Sequence, residues 1–148
     1  MATKSSVDQL NSFLRGELSA VETYRMALDK LDQASPTRME VEACMASHQE
    51  RVTALREAIV ALGGTPSDSS GPWGVFAKAV EGTAKVFGDK AAIYALEEGE
   101  DHGLKDYRDE LDDDDLDIQS KSFLTSRLLP AQQATHDRMS ALKHRMKA

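Results

Sequence analysis

The chain has 148 residues, with 18 basic against 25 acidic side chains for a net charge of −7, and a single cysteine, Cys44. A length of this order predicts one domain over residues 1–148, able to bury a core without disulfides or a structural metal. No Lys/Arg cluster forms a stripe that could track phosphates, which makes nucleic acid and anionic membranes poor candidate partners. No apolar run approaches the roughly 20 residues needed to span a bilayer. The opening stretch MATKSSVDQL also lacks the apolar run of a secretory leader, so a reducing cytoplasm is the expected location.

From Val7 onward, Val7, Leu10, Leu14, Glu17, Val21, Tyr24, Leu28 and Leu31 recur at steps of three and four, the buried stripe of an amphipathic helix with Glu17 inside it. Ser35 followed by Pro36 predicts an N-cap with proline at the first helical position. The stripe after it runs through Val41, Cys44, His48, Val52, Leu55, Ile59 and Leu62. Gly63-Gly64 stops this helix, and the Ser-, Pro- and Gly-rich stretch from Thr65 to Gly74 reads as a loop. Trp73, Val75, Phe76, Val80 and Val86 then suggest a short apolar helix.

A third long helix is expected from about Lys90 to Leu111, with Ile93, Glu97, Glu100, Leu104, Tyr107 and Leu111 on its stripe and Leu96 sharing the burial. The acidic run Asp112 to Asp115 opposes the dipole of a helix C-terminus and ends it. The fourth helix begins near Asp117 or Ser120 and carries Leu129, Gln132, His136, Met139, Leu142 and Met146, with Pro130 kinking or breaking its first part. Four long helices without a convincing strand predict an all-α bundle.

The first and third helices repeat each other. Gly16-Glu17 with Tyr24-Arg25 and Leu28 matches Gly99-Glu100 with Tyr107-Arg108 and Leu111. The second and fourth share a shorter signature, Ala46-Ser47-His48 against Ala134-Thr135-His136. Together the repeats single out Glu17, His48, Glu100 and His136, one potential metal ligand per helix, each on an otherwise apolar stripe. Helices of roughly 25 residues at about 1.5 Å per residue place all four near mid-helix, where they can converge. Convergence with the second and third helices parallel requires a connection that returns about 37 Å, and residues 64 to 86 are long enough for it.

The stretch Glu17-Leu18-Ser19-Ala20-Val21-Glu22-Thr23-Tyr24 resembles the first-helix motif of bacterioferritins, glutamate-leucine-x-alanine with a tyrosine seven residues after the glutamate. Length, the Gly-Glu repeat and the segment around Trp73 are most similar to a small bacterial family of ferritin-like four-helix-bundle proteins without an established activity. The resemblance implies a ferritin-like bundle with a long crossover that carries a short extra helix between the second and third long helices. In di-iron members of that superfamily each half supplies one glutamate from its first helix and a Glu-x-x-His motif from its second. Glu17 and Glu100 match the single glutamates, and His48 and His136 match the histidines. Met45 and Gln133 stand where the motif has its bridging glutamates.

Two irons bring about four to six positive charges into a bundle, more than two glutamates neutralise, so a single divalent ion, whether iron, zinc or manganese, suits a His2Glu2 set better. Cys44, Glu97, Glu50 and Glu22 are secondary candidate donors. Tyr24 and Tyr107, on the same faces as the glutamates, read either as donors to a carboxylate of the opposite helix or as ordinary core tyrosines. His102 and His144 read as solvent-facing. No P-loop, dinucleotide fingerprint, paired-cysteine zinc motif or Ser/His/Asp order is present.

Two functions are open at this point. One is a ferritin-like metal-binding protein connected with iron handling or oxidative stress, its enzyme status undecided. The other is a non-catalytic helical scaffold or assembly protein, in which Glu17 pairs with one histidine and Glu100 with the other in a metal-free polar layer. A homo-oligomer is compatible with both, with the exposed face near Trp73 as its first candidate interface.

Overall fold

A computed structural model describes residues 4–70 and 88–146. The expected short helix around Trp73, Val75, Phe76, Val80 and Val86 lies outside the described residues. Among the described residues the architecture is all-α, without strands. Helix α1 spans Lys4–Lys30, α2 Arg38–Ala61, α3 Asp89–Leu111, α4 Ile118–Phe123 and α5 Leu129–Met146. A wide π-helical turn, Leu124–Leu128, joins α4 to α5 into one long arm.

Local chemistry explains most boundaries. Helix α2 stops at Ala61, where Gly63 takes a left-handed φ of 81° and the amide of Gly64 reaches back to the Ile59 carbonyl at 2.9 Å. Only glycine adopts that conformation without strain. Helix α3 ends at Leu111, at the start of the acidic run, as the dipole argument requires. Asp117 caps α4, its carboxylate accepting from the Gln119 and Ser120 amides at 2.8 and 2.9 Å. Pro130 has no N–H to give to a carbonyl one turn back, and the π turn widens the backbone just before it, so the helix continues instead of breaking.

The expected N-cap of α2 is displaced. The helix starts at Arg38, after Thr37, which makes no side-chain cap. Ser35 instead contacts the Thr37 hydroxyl at 2.8 Å and accepts the Arg38 amide on its carbonyl at 3.2 Å, so Ser35-Pro36 forms a turn ahead of the helix.

Long-range contacts set the directions of the helices. Arg38 donates to the Leu28 carbonyl, and the Asp32 amide to Asp89, so α2 and α3 both begin at the C-terminal end of α1. Arg145, near the end of α5, pairs with Glu40 at that same end. At the opposite end Gln9 donates to the Asp115 carbonyl at 3.0 Å. Helices α2 and α3 therefore point the same way, with α1 and α5 antiparallel to them.

The stripes bury two separate apolar clusters. One, at the α1 C-terminal end, holds Tyr24, Leu28, Leu31, Val41, Ile93, Leu96, Met139 and Leu142. The other holds Leu10, Phe13, Leu14, Leu55, Ile59, Tyr107, Leu124 and Leu128. Between them lie the buried polar side chains of Glu17, His48, Arg51, Glu100, Gln132 and Thr135.

Two helix-interior glycines should respond oppositely to alanine. At Gly103 a Cβ would lie 2.7 Å from the Gln132 amide nitrogen, whereas at Gly16 nothing lies within 4 Å. Thermal denaturation is expected to show Gly16→Ala more stable by about 1 kcal/mol through helix propensity, and Gly103→Ala less stable by about 1–3 kcal/mol through overpacking.

Candidate functional site

Glu17 from α1, His48 and Arg51 from α2, Glu100 from α3, and Gln132 and Thr135 from α5 meet in one layer between the two apolar clusters. Each is between 2% and 4% exposed. The His48 ring lies between the two carboxylates, Nδ1 at 2.6 Å from Glu17 Oε1 and Nε2 at 2.7 Å from Glu100 Oε2. An ionised carboxylate only accepts hydrogen bonds, so both ring nitrogens must donate, which makes His48 an imidazolium.

The tyrosines complete a reciprocal pattern across the α1/α3 repeat. Tyr24 of α1 donates to Glu100 of α3, and Tyr107 of α3 donates to Glu17 of α1. Arg51 brings the second cation. Its Nη1 donates to Gln132 Oε1 at 2.5 Å and to Glu17 Oε2 at 3.3 Å, and its Nη2 to Thr135 Oγ1 at 3.0 Å and Ser47 Oγ at 3.1 Å. Glu100 Oε1 accepts from Gln132 at 2.9 Å and from Thr135 at 2.8 Å. The layer holds two carboxylates, an imidazolium and a guanidinium, with zero net charge. Among the described residues no buried side-chain polar atom lacks a partner.

The titration of the layer follows its geometry. Burial pushes the Glu17 carboxyl up, but Arg51, His48 and the Tyr107 hydroxyl outweigh it and bring it down to about 2. Burial likewise opposes ionised Glu100, and His48, Tyr24 and Thr135 overcome it and lower its pKa. For His48 burial favours the neutral ring, while the carboxylates on its two sides raise its pKa above 6.5. Tyr24 and Tyr107 are pushed well above 10.0 by burial and by the carboxylates they serve. Burial and Glu100 push the Cys44 thiol up to about 11, so it packs in the core as an unreactive thiol.

The donor set does not fit a ferritin-type metal centre. An ion bound through His48 would have to break one of the two carboxylate contacts that hold the buried ring from both sides, in a layer where Arg51 already supplies the second positive charge. Glu17 and Glu100 lie on opposite edges of the imidazole, so the three groups do not converge on one point. Glu100 accepts from Tyr24, His48, Gln132 and Thr135, which fills its four lone-pair sites.

Of the four residues singled out by the sequence, the structure brings together Glu17, His48 and Glu100 and leaves His136 outside. His136 lies on the outer α3/α5 seam, Nε2 at 2.5 Å from Asp101 and Nδ1 at 3.1 Å from Asp137, with 19% of its side chain exposed. Thr135 takes the inward position. The buried stripe of α5 runs Leu128, Gln132, Thr135, Met139, Leu142. Of the secondary donors, Glu50 is exposed, Glu22 accepts from the Ser70 hydroxyl at 3.2 Å, and Glu97 pairs with Lys143 at 3.3 Å. His102 and His144 are exposed, as expected.

Sequence reasoning missed Arg51, Gln132 and Thr135 as members of the layer. Arg51 carried one legible signal: it follows His48 by three residues and so shares its helix face. A cleft of about 390 Å³ between α1 and α3, lined by Gly16, Ala20, Gly103, Tyr24 and Tyr107, reaches the layer, yet Glu17, His48 and Glu100 are each only 2% exposed.

Fold and layer together define an all-α helical-bundle protein with a charge-balanced polar core. A family described as a domain of unknown function, DUF2383, matches residues 5–113, well over half of the chain, and the protein belongs to it. No curated protein and no solved structure matches the chain. Among the described residues no helix is long and apolar enough to cross a membrane.

The layer predicts a pH optimum of stability. Raised in the folded state, the His48 pKa gives stability that is full below 6.5 and lost as pH rises through the folded value. Lowered, the Glu17 pKa gives stability that is full above 4.5 and lost as pH falls toward about 2. Both contributions are complete between pH 4.5 and 6.5. Urea denaturation should show the stability gap between wild type and His48→Gln narrowing as pH rises above 6.5. A gap indifferent to pH would mean that His48 is neutral in the folded state.

Proposed function

We propose that this chain is a non-catalytic helical bundle of the ferritin-like kind, acting as an assembly or stress protein through its surface, with a metal-free layer of Glu17, His48, Arg51 and Glu100 at its centre. The observation that carries this reading is the saturation of the layer by its own groups. Both nitrogens of His48 and all four lone-pair sites of Glu100 are engaged by protein partners, and Arg51 supplies positive charge that an ion would otherwise bring. The common direction of α2 and α3, with α1 and α5 opposed, supports the ferritin-like assignment.

Such a layer fixes register. Replacing a buried ion pair by apolar residues is often neutral or stabilising, so the network's value lies in excluding other arrangements: a helix that slides by one turn buries unpaired charge. The single cysteine, buried and unreactive, is compatible with a reducing compartment.

Elemental analysis and anaerobic Fe(II) titration of wild type, Glu17→Gln and His48→Gln test the proposal. No metal that depends on Glu17 or His48 is expected, no acceleration of Fe(II) oxidation over buffer, and a stability loss of about 3–5 kcal/mol in Glu17→Gln from the uncompensated cations. Stoichiometric iron in the wild type that disappears in both variants would overturn it.

A further inference from the structure

On the outer α3/α5 seam, away from the buried layer, Glu97, Asp101 and His136 each bring one ligand atom to within 4.8 Å of the other two. We infer that these three residues form a divalent-cation site, taking zinc or a similar first-row ion through one carboxylate oxygen each from Glu97 and Asp101 and through His136 Nε2.

The donors are chemically mixed and come from two helices. Glu97 and Asp101 are four apart on α3 and so share a face, and His136 projects from α5 across the seam. One imidazole and two carboxylates leave a fourth position for water, the arrangement of an open zinc site. A tetrahedral ion with bonds of about 2.0–2.1 Å separates its ligand atoms by about 3.3 Å. The 2.5 Å contact between His136 and Asp101 would open by less than an ångström to admit it.

The surroundings are prepared for this. His136 Nδ1 faces Asp137 Oδ1 at 3.1 Å, which turns Nε2 toward Asp101. Asp137 is in turn held by Gln133, whose carbonyl oxygen accepts from Arg108 at 2.9 Å. A carboxylate behind a histidine ligand orients the ring and raises its basicity. Glu97 is only 8% exposed and is paired with Lys143. That ammonium also lies 4.9 Å from the centre of the Tyr94 ring, so it keeps a favourable position when the carboxylate turns to an ion.

Zinc(II) titration by calorimetry, with cobalt(II) absorption as a geometric reporter, tests the site in the full chain. One ion per chain is expected, with saturable binding abolished in His136→Gln and Asp101→Asn and retained in His102→Gln, a change at an exposed histidine outside the cluster. Asp137→Asn, at a positioning residue, should weaken zinc about tenfold with an unchanged denaturation midpoint. Absence of saturable zinc binding, or binding that survives His136→Gln, would overturn the inference. Neither result bears on the buried layer, whose test is metal that depends on Glu17 and His48.

Discussion

Two carboxylates at the centre of a helical bundle cannot stay ionised without two cations, and the placement of His48 and Arg51 answers that requirement. A buried unpaired carboxylate costs several kcal/mol. Here Glu17 and Glu100 face opposite edges of one imidazole, while the guanidinium closes the layer against Glu17 and the α5 side chains. All four long helical arms contribute at least one group, so the layer ties their relative heights together in a way the apolar clusters on either side do not.

The internal repeat is kept where the layer needs symmetry and broken where it does not. Tyr24 and Tyr107 each serve the glutamate of the other repeat. Two histidines facing two glutamates would also balance charge, yet one histidine bridges both carboxylates, and its counterpart in the repeat, His136, is left for the outer seam. Arg51 then makes up the missing cation, with Gln132 and Thr135 linking it to Glu100.

Much of this was legible in the sequence, for identifiable reasons. The stripes of α1 to α3, the stop at Gly63-Gly64 and the acidic end of α3 follow from periodicity, glycine backbone freedom and the helix dipole. Glu17, His48 and Glu100 stood out because each interrupts an apolar stripe. On α5 the spacing was ambiguous: from Gln132 to Met139, steps of four and three pass through His136, and steps of three and four pass through Thr135. Tertiary packing chose the second, burying a hydroxyl that can both donate to Glu100 and accept from Arg51. Arg51 itself was passed over because arginine ordinarily belongs to a solvated face. Ser35-Pro36 misled because the same residues serve a turn as readily as a helix start.

The claim on which the account rests is the protonation of His48, and nitrogen NMR of the imidazole in protein labelled at histidine measures it most directly. Below pH 6.5 both His48 nitrogens are expected to carry protons and to show them as slowly exchanging, strongly hydrogen-bonded signals, lost in His48→Gln. A neutral His48 tautomer with one unprotonated nitrogen, or a loss of the His48 nitrogen-bound protons when iron is added, would contradict a metal-free, charge-balanced layer.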